Sequence, residues 1–211
     1  MLFENILNWF RKIFKFAKSR KNEIRLGIYG SPNTGKTTLA NRLSMEWVGE
    51  AVGLVSEIPH ETRSVQRKEK ITITNNGNML TLNLYDLPGV ATKVDYRIFL
   101  PYGFEAEEAR QRAKEATRGI VESIRYLDEI DAALVVVDST AEPLSQVNLT
   151  LVGNLEARKI PFLLVANKTD LPDAKPEAVQ AAFPEYSVVP LSALTGRNME
   201  KLYSEITEKL V

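Results

Sequence analysis

Short apolar runs alternate with longer amphipathic stretches along most of the chain, beginning at Ile24. Short apolar runs bounded by turn residues are typical of buried strands, and apolar positions recurring about every 3.6 residues predict helices. The strands are predicted at Ile24–Tyr29, Ala132–Val137, Ile160–Ala166 and Ser187–Leu191. The helices are predicted at Lys36–Val48, Glu105–Leu127, Gln146–Arg158, Pro176–Ala182 and Asn198–Leu210. This alternation indicates an α/β fold with a mainly parallel sheet.

One pair of strands breaks the alternation. Lys70–Thr74 and Met79–Tyr85 both alternate between apolar and polar positions, and a short segment containing Asn76-Gly77 joins them. Asn-Gly is a strong signal for a tight hairpin turn. We therefore predict a mainly parallel six-stranded sheet with one antiparallel edge strand. A layer of helices is expected on each face of the sheet, which gives three layers in all.

The beginning of the chain has a different pattern. At about 100° per residue, residues 2–17 place their apolar side chains on one half of a helical wheel and their polar side chains on the other. Residues 1–25 contain seven basic and two acidic side chains, so the overall charge of zero divides into +5 there and −5 in the remaining 186 residues. We predict a basic amphipathic helix at residues 1–22, followed by one globular domain at residues 23–211.

Three interpretations of this helix stay open. Residues 2–18 could lie on an anionic membrane surface, where apolar burial and the attraction of Lys and Arg to lipid headgroups add. They could instead dock on an apolar groove of this chain or of a protein partner, or follow the phosphates of RNA. We favour a membrane surface.

The composition removes several classes of chemistry. The chain has no cysteine and a single histidine, His60, which excludes disulfides, thiolate nucleophiles and multi-histidine metal sites. It has no run of about 18 apolar residues and no glycine after the initiator Met, so neither a spanning helix nor N-myristoylation is expected. We expect a cytoplasmic protein, peripheral on the cytoplasmic face of a membrane if the first helix binds lipid.

A phosphate-binding motif lies between a predicted strand and a predicted helix. The pattern G-x-x-x-x-G-K-[ST] is formed by Gly30, Ser31, Pro32, Asn33, Thr34, Gly35, Lys36 and Thr37, and Thr38 follows it. In this context the glycines let the backbone wrap around phosphates and the first amides of the helix point at negative charge. Lys36 is placed to reach the β- and γ-phosphate oxygens, and Thr37 to ligate Mg²⁺.

A second motif, Asp86-Leu87-Pro88-Gly89, ends the second strand of the hairpin. Taken alone it reads as a structural turn. Downstream of a phosphate-binding loop, however, an acidic side chain here can hold Mg²⁺ and the Gly89 amide can sense a γ-phosphate.

Two further motifs complete a set. Asn167-Lys168-Thr169-Asp170 follows one predicted strand and Ser192-Ala193-Leu194 follows the last. Together the four motifs resemble, in the same order, those of P-loop GTPases of the translation-factor-related class, which have a three-layer, Ras-like G domain. The resemblance implies that Asp170 accepts two N–H donors from guanine, that Asn167 braces the loop, that Lys168 packs along the base, and that the Ala193 amide meets the guanine oxygen.

Two details point within that class to the Era-like GTPases. These are the Pro32-Asn33 pair and the segment Pro59-His60-Glu61-Thr62-Arg63 ahead of an apolar strand. The resemblance covers residues 24–211. It implies that Thr62 ligates Mg²⁺ when GTP is bound, with Ser64 as a competing position, and that Lys36, Thr62, Gly89 and Asn33 act in slow GTP hydrolysis.

The chain departs from the wider pattern at Val90. Ras-like proteins place a water-orienting glutamine there, and valine cannot hydrogen-bond water. The resemblance suggests that Asn33 coordinates K⁺, which would supply the positive charge of an arginine finger. Asn33 could instead only stabilise its loop, Arg63 could act as a finger within the chain, or the protein could be a GTP-stabilised scaffold with little turnover.

Partner surfaces are predicted in the two loops that respond to nucleotide, at residues 56–66 and 89–104, where an unknown protein effector would bind. The second contains a cluster of large apolar side chains: Tyr96, Ile98, Phe99, Leu100, Tyr102 and Phe104. They could pack the helix Glu105–Leu127 onto the sheet, or form a nucleotide-sensitive surface. Era continues into an RNA-binding KH domain whereas this chain stops at Val211, so a ribosomal-RNA role is not carried over by default.

Overall fold

The computed structural model describes residues 23–48, 66–75, 78–89 and 94–209. The helix predicted at residues 1–22, Thr62, Arg63, Ser64 and Val90 all lie outside the described residues. Among the helices that are described, none combines the length and the apolar character needed to cross a membrane.

Six strands and five α-helices make up the described fold. The strands are β1 (Glu23–Tyr29), β2 (Gln66–Asn75), β3 (Asn78–Asp86), β4 (Ala132–Asp138), β5 (Phe162–Asn167) and β6 (Val188–Pro190). The helices are α1 (Lys36–Val48), α2 (Ala106–Arg125), α3 (Gln146–Ala157), α4 (Pro176–Ala182) and α5 (Met199–Lys209), with 3-10 helices at Tyr96–Tyr102 and Tyr126–Asp128.

The strands form one sheet in the order β2-β3-β1-β4-β5-β6. β2 is antiparallel to β3, and the other neighbours are parallel. The predicted six-stranded, mainly parallel sheet with one antiparallel edge strand is therefore confirmed. Its register places Ile28 beside Asp86 and Asp138 beside Asn167, which brings the carboxyl ends of β1, β3, β4 and β5 to the same edge.

Two apolar layers enclose the central strands, because β1, β4 and β5 are too apolar to face water on either side. On one face, α1 and α5 pack through side chains such as Leu39 and Leu202. On the other face, α2, α3 and α4 pack through Ile124, Leu155 and Val179. The predicted three-layer α/β architecture is confirmed.

The apolar stretch before α2 is partly buried and partly exposed. Phe99 is buried in a small cluster with Tyr96 and Phe104 against the first turns of α2. Ile98, Leu100 and Tyr102, which lie on the same 3-10 helix, are 37%, 40% and 44% exposed. The cluster thus covers the outer end of α2. Contact of this helix with the sheet-facing core comes instead from its last turns, through Ile120 and Ile124.

Several boundaries differ from the predicted ones for local reasons. β5 begins at Phe162 rather than Ile160, because Lys159 adopts a left-handed φ of 56° and the Ile160 amide caps α3 by donating to the Leu155 carbonyl. The predicted helix Glu105–Leu127 tightens into a 3-10 turn from Tyr126 onward.

Candidate functional site: a phosphate and base cleft at the carboxyl edge of the sheet

The loop between β1 and α1 approaches its surroundings too closely for side chains at its glycines. Gly30 has φ of 151°, and a Cβ there would lie 2.3 Å from the Val136 carbonyl oxygen. Gly35 has φ of 92°, and its Cβ would lie 2.3 Å from Asn167 Nδ2. Between them Asn33 has φ of 60° and is exposed. Strand geometry and the two glycines together hold the loop as a curved backbone against the sheet edge.

Lys36 begins α1 and points back over this loop. Its side chain is buried, and Nζ donates to the Ser31 carbonyl at 2.7 Å. Burial lowers the pKa of Lys36 to about 8, with Lys168 acting in the same direction and Asp86 opposing it. Among the described residues, no anionic side chain forms a close ion pair with this buried cation.

Thr37 and Asp86 form a hydrogen-bonded pair of oxygen groups at the same site. Thr37 Oγ1 donates to Asp86 Oδ2 at 2.7 Å, and Asp86 is fully buried. Burial raises the pKa of Asp86, against the hydrogen bond from Thr37 and the charge of Lys36, which lower it. Within the described part of the chain, Asp86 Oδ1 has no hydrogen-bond partner. A hydroxyl next to a buried carboxylate with a spare oxygen fits Mg²⁺, which binds through few protein oxygens plus phosphates and water.

The loop after Asp86 rests on both the phosphate-binding loop and α2. A Cβ on Gly89 would lie 2.8 Å from the Cα and N of Pro32, so this contact admits no side chain. One residue earlier, the Pro88 carbonyl lies 3.0 Å from Ser123 Oγ on α2. The same hydroxyl lies 2.9 Å from the Gly119 carbonyl one turn back.

Asn167 joins the phosphate-binding loop to the loop after β6. The side chain is buried, its Nδ2 donates to the Thr34 carbonyl at 2.8 Å, and its Oδ1 accepts from the Ala193 amide at 2.9 Å. Both halves of the amide are used, which fixes the orientation of the side chain. The Ala193 N–H, which the resemblance assigned to guanine, is donated to Asn167 in this structure.

Lys168 makes an ion pair that the sequence analysis missed. It has φ of 67°, and its Nζ lies 2.6 Å from Asp138 Oδ2 at the end of β4. Burial raises the pKa of Asp138, but hydrogen bonds from Lys168 and from the Thr140 amide and hydroxyl outweigh it and leave this pKa below its ordinary value. The available signal was an acidic residue ending a fully apolar strand at the same edge as Asn167.

The base-facing loops are completed by Asp170 and the segment Ser192–Leu194. Asp170 and Leu194 are exposed, whereas Ser192 is buried and its Oγ accepts from the Thr195 amide at 3.1 Å. Arg42 of α1, also missed in the sequence, donates to the carbonyls of this segment. No motif marks Arg42, because its partners lie about 150 positions away in the chain.

Most of the predicted site residues are therefore at one edge of the sheet. They are Gly30, Ser31, Pro32, Asn33, Thr34, Gly35, Lys36, Thr37, Thr38, Asp86, Gly89, Asn167, Lys168, Asp170, Ser192, Ala193 and Leu194. The predicted Mg²⁺ ligand Thr62 lies outside the described residues.

Sequence relatives and solved structures match most of this chain. GTPase Era of Rickettsia bellii is 29% identical over 197 residues, covering 92% of this chain and 57% of its own length. GTPase Der of Thermomicrobium roseum is 31% identical over 190 residues, covering 88% of this chain and 36% of its own length. The chain thus spans little more than half of these Era relatives and about a third of Der.

Two crystal structures of Era have the same fold. Aquifex aeolicus Era bound to GDP and aluminium fluoride superimposes with a TM-score of 0.67 at 22% identity, covering 90% of this chain and 57% of that one. Era in complex with MgGDPNP and a 16S ribosomal RNA segment gives a TM-score of 0.65 at 23% identity, with the same coverage. The family model described as 50S ribosome-binding GTPase matches residues 25–168, and with its four motifs in place the chain belongs to this family, as an Era-like member.

Proposed function

We propose that this chain binds GTP and GDP with Mg²⁺ and hydrolyses GTP to GDP and phosphate, as a slow nucleotide-dependent switch. The observation that carries the proposal is the double hydrogen bond of Asn167 to Thr34 and Ala193. These bonds join the phosphate-binding loop to the base-facing loop, so that a single ligand with phosphates and a purine base would bridge them.

The phosphate end of the cleft provides positive charge and backbone donors. Amides of the loop before α1 and the buried ammonium of Lys36 would bind the β- and γ-phosphates. Thr37 and Asp86, with Thr62 in the GTP-bound state, would hold Mg²⁺, which when bound neutralises the charge that develops on the phosphates. The Gly89 amide would then donate to the γ-phosphate, which requires the loop after β3 to adjust against Pro32.

The base end would select guanine. The exposed Asp170 carboxylate would accept the two N–H donors of guanine, and adenine offers no such pair. Lys168, held by Asp138 at 2.6 Å, would lie along the base.

Hydrolysis would proceed without a glutamine at position 90. We propose that the exposed Asn33 helps to coordinate K⁺ near the phosphates and so supplies transition-state charge. Phosphate release that is several times faster in K⁺ than in Na⁺ supports this role, and equal rates contradict it.

The test of the main proposal is binding and turnover with purified protein. Fluorescent GDP should be displaced by GTP and not by ATP, and Mg²⁺-dependent phosphate release should be lost in Lys36→Ala. Displacement by ATP as effective as by GTP would overturn guanine selection. Tight GTP binding without phosphate release would leave the alternative of a GTP-stabilised scaffold.

The N-terminal segment supports a second proposal, because a basic amphipathic pattern of this kind suits an anionic surface. We propose that residues 2–18 attach the protein to the cytoplasmic face of a membrane in the GTP state. Liposome flotation with GDP and a non-hydrolysable GTP analogue, with and without residues 1–22, tests it. The alternative is a role in RNA binding or ribosome assembly, which is suggested by the structure of Era bound to RNA. Salt-sensitive sedimentation with ribosomes that depends on residues 1–22 would favour this alternative.

A protein effector is proposed for residues 56–66 and 89–104. In the second segment, Ile98, Leu100 and Tyr102 are exposed apolar side chains on one 3-10 helix. Polar substitution of these three residues should reduce effector binding without changing nucleotide affinity.

A further inference from the structure

Arg42 connects the phosphate-binding helix to the base-facing loop. It lies on α1, and its Nε donates to the Ala193 carbonyl and its Nη2 to the Leu194 carbonyl, both at 2.5 Å. The loop comes close enough for this because of Gly196, which has φ of 82° and whose Cβ would lie 2.8 Å from Arg42 Nη1. The guanidinium thus binds two successive carbonyls in the fork geometry that lysine cannot reproduce.

The guanidinium is itself held in place from the other side. Its Nη1 lies 3.8 Å from Glu46 one turn along α1, and Glu46 accepts a hydrogen bond from the Tyr203 hydroxyl on α5. The side chain of Arg42 is only 29% exposed. The position of the loop after β6 is therefore fixed relative to α1 by a partly buried, charge-assisted contact.

This contact decides which amide of the loop is free to bind a ligand. The Ala193 N–H is used by Asn167. In the part of the chain that the structure describes, the Leu194 N–H is paired with no acceptor. Because the N–H and C=O of a trans peptide point in opposite directions, holding the Ala193 carbonyl towards Arg42 turns the Leu194 N–H away from α1.

We propose that Arg42 is a positioning residue for guanine recognition, which orients the Leu194 N–H as a donor to the 6-oxo group of the base. The inference rests on the proposed binding of guanine nucleotides and adds a residue outside the four motifs. Asp170 would recognise the 2-amino side of the base, and Arg42 acts only on the 6-oxo side.

The experiment compares dissociation rates of GDP, 6-thio-GDP and IDP from the full chain and its variants. Arg42→Ala should release GDP about tenfold faster, the usual scale for loss of one well-placed hydrogen bond. IDP lacks the 2-amino group and keeps the 6-oxo group, so the same acceleration is expected. For 6-thio-GDP, whose sulfur is a poor acceptor, the variant and the unchanged protein should differ little.

The controls separate this role from a general loss of structure. Arg158→Ala removes an arginine that pairs with Asp128 at 2.9 Å and should change none of the three rates. Arg42→Lys retains the cation without the fork and should show the same nucleotide dependence, so it replaces Arg42→Ala if that variant does not fold. Gly196→Ala, which displaces the guanidinium, should resemble both.

Two results would overturn the inference. One is an Arg42→Ala effect of equal size for all three nucleotides, which indicates a merely structural role. The other is an unchanged GDP dissociation rate. Failure of the unchanged protein to bind GDP would instead refute the proposed function, which the first measurement of the series detects.

Discussion

We expect Lys36 to stabilise the protein only when a ligand is bound, and replacing it with methionine tests this directly. The ammonium is buried, and within the described ranges it donates to the Ser31 carbonyl at 2.7 Å. Methionine keeps most of the volume and apolar length of the side chain while removing the charge. We expect Lys36→Met to make the nucleotide-free protein more stable.

The size of the effect follows from the pKa of Lys36, which burial lowers from 10.5 to about 8. The pKa of Lys36 is lower in the folded protein than in the unfolded chain, so the unfolded chain binds more protons at pH values between the two. The free energy of unfolding therefore rises with pH across this range. The full pKa shift corresponds to a loss of about 3 kcal/mol in the free energy of unfolding at neutral pH. Removing the ammonium recovers this loss but gives up its hydrogen bond to Ser31, which contributes about 1 kcal/mol. Lys36→Met should therefore gain about 2 kcal/mol at about pH 7, and that advantage should disappear near pH 10.

Urea unfolding of both nucleotide-free proteins at the two pH values measures this. Saturating GDP with Mg²⁺ should reverse the order at neutral pH, because phosphate oxygens then pair with the ammonium of the unchanged protein. A variant that is less stable at neutral pH, or a difference that does not change with pH, would refute the reasoning. The first result would mean that Lys36 is already well solvated or paired without ligand.

Three substitutions test the rest of the cleft. Asn167→Ala removes both hydrogen bonds between the loops and should weaken GDP binding by about 2 kcal/mol or more in a fluorescence titration. The control Asn154→Ala removes a similar side-chain hydrogen bond within α3 and should leave GDP affinity unchanged. Gly35→Ala places a Cβ 2.3 Å from Asn167 Nδ2 and should abolish GDP binding, while Gly153→Ala, with nothing within 4 Å, should only raise the melting temperature slightly. Asp170→Asn gives position 170 an amide that can donate to the 2-oxo group of xanthine. In competition assays this variant should prefer XDP to GDP. An unchanged preference for GDP would exclude Asp170 from base recognition.

The sequence was most informative where local chemistry decides the structure. Apolar runs such as Ala132–Val137 form a buried strand with almost no alternative, and the Asn76-Gly77 signal correctly indicated an antiparallel edge. The glycines of the phosphate-binding motif indicated where the loop lies close to its neighbours. They occupy the positions at which a Cβ would clash with the sheet or with Asn167. The start of β5 was placed two residues too early, since an apolar residue at 160 looks like part of the strand although its amide caps α3.

The contacts that join separate motifs could not be predicted in the same way. Arg42 sits on a helix face where an arginine is ordinarily solvated, and nothing near it in the sequence marks two carbonyls as its partners. The ion pair of Lys168 with Asp138 spans 30 positions and depends on β4 and β5 being neighbours. Such contacts arise from the packing of the whole sheet, and the pattern along one strand or helix does not contain them.

The hydroxyl of Ser123 has one hydrogen and two carbonyls to receive it, Pro88 on the loop after β3 and Gly119 in its own helix. Departure of that loop from α2 would ordinarily leave a buried donor without an acceptor, a loss of about 1–3 kcal/mol. Here the proton turns to Gly119 and no donor is stranded. The loop could therefore move away from α2 at little cost in hydrogen bonding, which is what the proposed nucleotide-dependent switch requires.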